Sequence, residues 1–406
     1  MSAGISVRSA RFRETPARWA LSALPALGTC GAVLLVTWLI GDSFFDHRPI
    51  RFFFDHIDPS VYFRESEWGL ASGKLPYRDL FSEYPPMAVM VFKFVRLIST
   101  RLVVFQDPFH NFCWWWMGLA GLGYGFAAGK FAREGWLPLF TWLSPAALYF
   151  ALFRFDLYPA LASLMALLAL RNERYVRAAA WLGLCIALKG YAAVFLPALG
   201  VFWIYRVGLK KAVALSALAL APMVVSLGVV WLYAGTEGVL MPFEFHAGRG
   251  YNGETIYLAV DNLLDTRLKP QLDWMLEHRV PLVIQVAFGL LAAALRPRTF
   301  EQLLHAFLIA VVGFVTASVF HSPQFALWII VAAAFTTNRY LQVLLAALSW
   351  FTYLYFPILF DWSVLPDAPD HIVGYQEASI LVLVVLKLLI MLRRRPAGDP
   401  PPQEAR

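Results

Sequence analysis

Apolar runs alternate with short polar breaks along almost the whole chain. Stretches at about 19–40, 109–129, 136–152, 157–170, 178–188, 190–205, 212–234, 280–295, 302–320, 323–337, 340–360 and 378–392 are dominated by Leu, Val, Ala, Ile, Phe and Trp. A helix needs ~20 such residues to cross the hydrocarbon core of a bilayer. The pattern therefore predicts an all-α polytopic membrane protein with about twelve transmembrane helices. Residues 85–104, PPMAVMVFKFVRLISTRLVV, are apolar but interrupted by Lys93, Arg96 and Arg101. Charges in lipid are costly, so this piece reads as an amphipathic helix lying on the outer surface. Two polar segments are long, 41–84 and 235–279. A third, 362–376, carries Asp367 and Asp370 without Lys or Arg.

Composition and charge fix the orientation. Of 406 residues, 59% are hydrophobic and only 15% charged, against ~25% charged in soluble domains. The net charge of +7 comes from clusters at Arg8 to Arg18, Lys130 and Arg133, Arg171 to Arg177, Arg206 to Lys211, Arg296 and Arg298, and Arg393 to Arg395. By the positive-inside rule these mark the cytoplasmic side; a nucleic-acid partner is not needed to explain them. Both termini then face the cytoplasm and the long polar segments face outward. Counting 85–104 as a span would put Lys130 and Arg171 outside, which supports the interfacial reading. Residues 1–18 form a cytoplasmic N-terminus, 19–392 the membrane domain, and the Pro-rich 393–406 a disordered tail. The run from Trp19 to Ile40 is too long for a cleavable signal peptide and serves as an anchor. Cys30, Cys113 and Cys185 all lie in apolar runs, so no disulfide framework is indicated.

Candidate chemistry concentrates on the outer side. Residues 55–86, DHIDPSVYFRESEWGLASGKLPYRDLFSEYPP, carry Asp55, Asp58, Glu65, Glu67, Asp79 and Glu83 among Arg64, Lys74 and Arg78. A spacer between helices does not need so many ionisable groups. Asp58, followed by Pro59, is the first candidate for a general base, which must be a positioned carboxylate or imidazole; its other use is as a helix N-cap or a solvated carboxylate. Lys189 and Arg154 sit at span ends in apolar surroundings, where ionisable groups face a cavity or a partner or snorkel to the interface. Asp156 could balance Arg154. His246, Arg249 and Glu254 share the second long segment, and His321 and Gln324 flank Pro323 at a helix break. Trp114, Trp115 and Trp116 read as part of an interfacial aromatic belt.

The arrangement Asp58, Tyr62, then Gly73, Pro76, Tyr77, Asp79, then Glu83, Tyr84, Pro85, Pro86 resembles the first outer loop of the GT-C superfamily of membrane glycosyltransferases. It is similar, more narrowly, to the bacterial polyprenyl-phosphate-mannose-dependent α-mannosyltransferases. Residues 169–199 (ALRNERYVRAAAWLGLCIALKGYAAVFLPAL), 246–257 (HAGRGYNGETIY) and 321–330 (HSPQFALWII) resemble further segments of that family, in the same order. Two positions depart from its pattern: Gly190 follows Lys189 where Pro is usual, and Tyr251–Asn252 replace a more apolar pair. The resemblance implies a GT-C type fold in a bacterial inner membrane, with its active site on the outer face. It implies a polyprenyl-phosphate sugar donor, mannose first, and a lipid or glycan acceptor. Asp58 would be the catalytic base. Lys189, His246, Arg249 and His321 would hold the phosphate, and Tyr62, Glu83, Glu254 and Gln324 would contact sugar, phosphate or acceptor.

No phosphate-binding loop of the nucleotide-hydrolase type and no metal-ligand spacing is present. No cofactor or divalent metal is indicated. Three alternatives stay open: arabinose or another sugar as the cargo; a lipid-linked sugar transporter or flippase, which would favour inverted repeats and polar residues near the bilayer midplane; and a non-catalytic membrane scaffold, which would not require Asp58, Lys189 and Arg249 together.

Overall fold

A computed structural model describes residues 16–40, 57–69, 72–251, 255–257 and 269–359. Glu254, Asp367, Asp370, the span expected at 378–392 and the tail lie outside these residues. The described residues are helical, with isolated bridges only. In chain order the helices are α1 (Pro16–Ile40), α2 (Ile57–Glu65), α3 (Pro86–Arg101), α4 (Pro108–Glu134), α5 (Trp136–Trp142), α6 (Pro145–Phe153), α7 (Leu157–Arg171), α8 (Tyr175–Leu188), α9 (Leu196–Val207), α10 (Leu209–Ala247), α11 (Lys269–Glu277), α12 (Val280–Ala294), α13 (Phe300–Thr316), α14 (Ala326–Ile330) and α15 (Arg339–Tyr353).

Their starts are written in the sequence. Pro opens α3, α4 and α6, where its missing N–H costs nothing. Asp107, Ser144 and Asn338 cap α4, α6 and α15 by accepting a backbone N–H. Thr299 and Gln302 form a capping box at α13.

Among the described residues, Gly190–Val207 and Leu209–Ala247 are long and apolar enough to cross a membrane, and two bent pairs would raise that number to four. One pair is α5 with α6, bent by 46°; the other is α11 with α12, bent by 65°. α1, α7, α8, α13 and the segment Pro323–Ala334 are shorter apolar helices. Large apolar side chains point outward from several of them. Leu35 and Trp38 on α1, Val224, Val225 and Leu232 on α10, and Val283 and Leu290 on α12 are all at least half exposed. Such a surface suits lipid and not water.

Helices approach closely through small residues. Gly118, Gly121 and Gly125 lie on one face of α4 against α1. A Cβ on Gly125 would stand 2.4 Å from the Pro25 carbonyl oxygen, and one on Gly118 would stand 2.5 Å from Leu34. Gly183 of α8 meets Ala219 and Pro222 of α10 in the same way, and Gly289 of α12 meets Val194. Close backbone packing is what drives helix association where lipid competes for apolar contacts.

Two differences from the sequence reading stand out. The polar segment expected from residue 235 begins as helix: Gly235 adopts φ 66°, breaks the helix axis, and helix resumes to Ala247. The three consecutive Trp residues do not share a role, because a helix turns each to a different face. Trp116 is fully buried, while the indole N–H groups of Trp114 and Trp115 bond to the carbonyls of Leu34 and Leu102.

The helices have two poles. Arg171 pairs with Glu134, Arg206 with Glu173, Arg171 lies over Phe335 and Arg298 over Tyr205, so the basic helix ends gather at one pole. The opposite pole gathers the other ends and carries the residues described next.

Candidate functional site

Asp58 stands in the first turn of α2, where the helix N-terminus favours a carboxylate. Three elements fix it. One carboxylate oxygen lies 3.2 Å from the Arg154 guanidinium, and the other accepts the Tyr62 hydroxyl proton at 3.0 Å. The Tyr62 oxygen in turn accepts the backbone N–H of Phe155 at 2.9 Å. Tyr62 is fully buried, stacked on Phe92 with centroids 4.6 Å apart and packed against Trp116. Burial, then the charge of Asp58, pushes its hydroxyl well above the ordinary range, so it remains a donor. The side chain expected to touch sugar is buried behind Asp58. Asp58 keeps 24% of its side chain exposed, against 7% for Arg154. The carboxylate is therefore the more accessible member of the pair.

Arg154 follows α6 and Asp156 precedes α7 in one tight junction. Adjacency suggests that they balance each other, but they do not pair across the two residues. Arg154 turns to Asp58, and Asp156, which is 1% exposed, binds Lys189 at 2.8 Å. Lys189 ends α8 in an extended conformation, with its ammonium 5.3 Å from the Phe325 ring and 5.1 Å from that of Trp328. Trp328 stacks on Tyr191 at 3.9 Å. The aromatic wall behind Lys189 thus comes from the segment that opens with His321, Ser322 and Pro323. His321 is buried there against Phe325, and Gln324 is half-buried.

A third ion pair joins the two long polar segments: Arg249 meets Glu83 at 3.0 Å. The Glu83 carbonyl lies 3.2 Å from a ring nitrogen of His246, at the end of α10. Arg249 also covers Phe245 and Phe320, 4.5 and 4.2 Å from their centroids. Burial raises the Glu83 pKa; Arg249 and Lys189 oppose the rise and Asp58 adds to it. These charges therefore sense one another. Asp58, Glu83, Lys189, His246 and Arg249 come together at one pole, and the His321 segment is tied to them through Phe320 and Phe325. Glu254 lies outside the described residues.

The rest of the first polar segment is scaffold. Asp79 caps a turn by accepting the Leu75 N–H and pairs with Arg78 at the surface. Tyr77, at φ 65°, buries its ring and donates to the Tyr84 carbonyl at 2.6 Å. Lys93 of α3 donates to the carbonyls of Ser66 and Trp68, and Arg96 lies over Phe63. Lys93 and Arg96, two of the three cations that interrupt the α3 pattern, thus tie it to α2 and the turn that follows. Glu65, which composition alone does not single out, is 5% exposed and accepts the Ser82 hydroxyl at 2.5 Å. Burial pushes its pKa up to about 7, against the pull of that bond.

No protein-family model matches the chain, and no curated protein matches it.

Chemically, the cluster sets a partly exposed carboxylate beside partly exposed cations. Lys189 is 22% and Arg249 27% exposed. Each has one carboxylate partner, while an ammonium carries three donors and a guanidinium five. Both can therefore engage an anion without abandoning Asp156 or Glu83. Pairing with those carboxylates also leaves the ligand-free site without a large uncompensated charge.

Proposed function

We propose that the protein is an inverting glycosyltransferase of GT-C type. It takes a sugar, mannose first, from a polyprenyl-phosphate donor and transfers it to a lipid or glycan acceptor on the outer face of a bacterial inner membrane. The observation that carries this reading is the Asp58 arrangement: a partly exposed carboxylate held by Tyr62 and Arg154 and grouped with Lys189 and Arg249.

In the proposed step Asp58 accepts the proton of the acceptor hydroxyl. The acceptor oxygen forms a bond to the anomeric carbon as the bond from that carbon to the phosphate oxygen breaks. Polyprenyl phosphate leaves with the electron pair. Lys189 and Arg249 stabilise the charge that develops on it, the contribution preorganised cations make in a site of low dielectric. Displacement from one face inverts the anomeric centre, so a β-linked donor gives an α-linked product. Arg154 and Tyr62 set the orientation of Asp58 without touching substrate. The donor's isoprenoid would lie along the apolar outer helices while its sugar-phosphate reaches the polar pole.

The test is transfer from radiolabelled polyprenyl-phosphate-mannose by purified protein in membranes that contain native acceptors. Wild type transfers sugar, and folded Asp58→Asn loses ~100-fold or more, the usual contribution of a general base. Equal transfer by both removes Asp58 from the mechanism. No transfer by either removes mannose as the donor sugar or the transferase reading itself.

A further inference from the structure

Arg249 lies just beyond the end of α10, and three separate parts of the chain meet on its side chain. One terminal nitrogen donates to the Glu83 carboxylate at 3.0 Å. The guanidinium carbon stands 4.5 Å from the ring centroid of Phe245, on the last turn of α10, and 4.2 Å from that of Phe320, which follows α13. Both distances fall well inside the ~6 Å limit of a cation–π contact.

The two rings are themselves held. Phe245 meets Phe81 of the first polar segment edge to face, with centroids 5.3 Å apart. Phe320 sits directly before His321, where the Ser318 hydroxyl donates to its carbonyl at 2.7 Å. Both rings are half-buried. A guanidinium is planar, and its N–H groups all point outward in that plane. A ring against its face restrains the plane without taking a hydrogen bond. An ammonium on a flexible stem has no plane to restrain. The rings can therefore aim Arg249 without adding negative charge to a site that takes an anion.

We propose that Phe320 and Phe245 are positioning residues: they hold the Arg249 guanidinium so that its N–H edge faces the departing phosphate. The proposal rests on the transferase reading and deepens it, because it names what orients one of the two cations assigned to the leaving group. Neither ring need touch the reacting atoms.

Two readouts on purified full-length protein in membranes test this. The first is modification of Arg249 by phenylglyoxal, followed by mass spectrometry and referred to Arg101, exposed at the end of α3. Phe320→Leu should speed it by about 2- to 30-fold, the range of a lost cation–π contact, while Phe320→Tyr should keep the wild-type rate. The second is transfer from polyprenyl-phosphate-mannose. Phe320→Leu should lower kcat/KM by a similar factor, and Phe320→Tyr should restore it. Phe320→Leu added to Arg249→Gln should cost nothing more, because the ring then has no guanidinium to hold. If Phe320→Leu does not fold, Phe245→Leu takes its place in both readouts. Arg249 labelling that ignores loss of the ring, or an equal loss of transfer with and without Arg249, would overturn the proposal. Wild type that transfers no sugar would instead remove mannose or the transferase reading, and the hold on Arg249 would stand or fall by the labelling.

Discussion

Tyr62 accepts a hydrogen bond from the Phe155 amide and donates one to Asp58, so the carboxylate is aimed by a ring that cannot move without unpacking Phe92 and Trp116. Arg154 adds charge to that aim. Losing one charge-assisted contact to the proposed base should lower sugar transfer ~10-fold or more in a folded Arg154→Gln variant, with Arg154→Lys restoring part of it. Equal transfer by Arg154→Gln and wild type would remove Arg154 from the positioning of Asp58. Glu65 acts on stability instead. Its pKa rises from 4.5 to about 7 in the folded protein, so the native state holds a proton that the unfolded chain releases. Stability is therefore full below pH 4.5 and falls as pH rises through 7, by about 3 kcal/mol in all. Thermal midpoints in detergent between pH 5 and 8 should decline for wild type and flatten for Glu65→Gln. A variant that keeps the slope would assign the effect to another group.

At the scale of helices, apolar run length and punctuation carry most of the information. The apolar runs at 109–129, 157–170, 178–188 and 280–295 each fall on a helix, α4, α7, α8 and α12, because their flanks are Pro, capping residues or basic clusters; of these, only α12, joined to α11 in a bent pair, is long and apolar enough to count as a candidate span. Helix pairing is less legible. Gly118, Gly121 and Gly125 share a face by spacing, yet nothing in the sequence says that α1 covers it. Ion pairing is less legible still. Arg154 and Asp156 look like partners, and only the fold sends one to Asp58 and the other to Lys189. Tyr62 could be picked out beside Asp58, but its burial could not, since burial depends on Phe92 and Trp116 arriving from other helices. The glycine face gives a sharp test. A methyl at Gly125 would meet the Pro25 carbonyl at 2.4 Å and the Ala26 Cα at 2.8 Å, both backbone atoms that cannot rotate away. Gly125→Ala should cost about 1–3 kcal/mol by overpacking, seen as a lower thermal midpoint. Gly28→Ala on the facing α1, where an added Cβ meets nothing within 4 Å, should leave it unchanged.

At the largest scale, consecutive long helices run between the two poles, and the basic clusters of the short connections gather at one of them. Lys130, Arg133, Arg171, Arg174, Arg177, Arg206, Lys210, Lys211, Arg296 and Arg298 all fall at or beside the pole opposite Asp58. Such a division is what sets orientation during insertion. It predicts that the Asp58 pole faces outward, where a transferase of this type would meet lipid-linked donor and envelope acceptor together. Lys74 lies exposed at that pole and Lys210 exposed at the other. Native thiols interfere little, because Cys113 and Cys185 are buried and Cys30 is half-covered in the α1–α4 contact. A membrane-impermeant maleimide should label Lys74→Cys in intact cells and Lys210→Cys only after permeabilisation. The reverse pattern would put Asp58 in the cytoplasm, where soluble nucleotide-sugars are the accessible donors, and would remove the reason for expecting a polyprenyl-phosphate one.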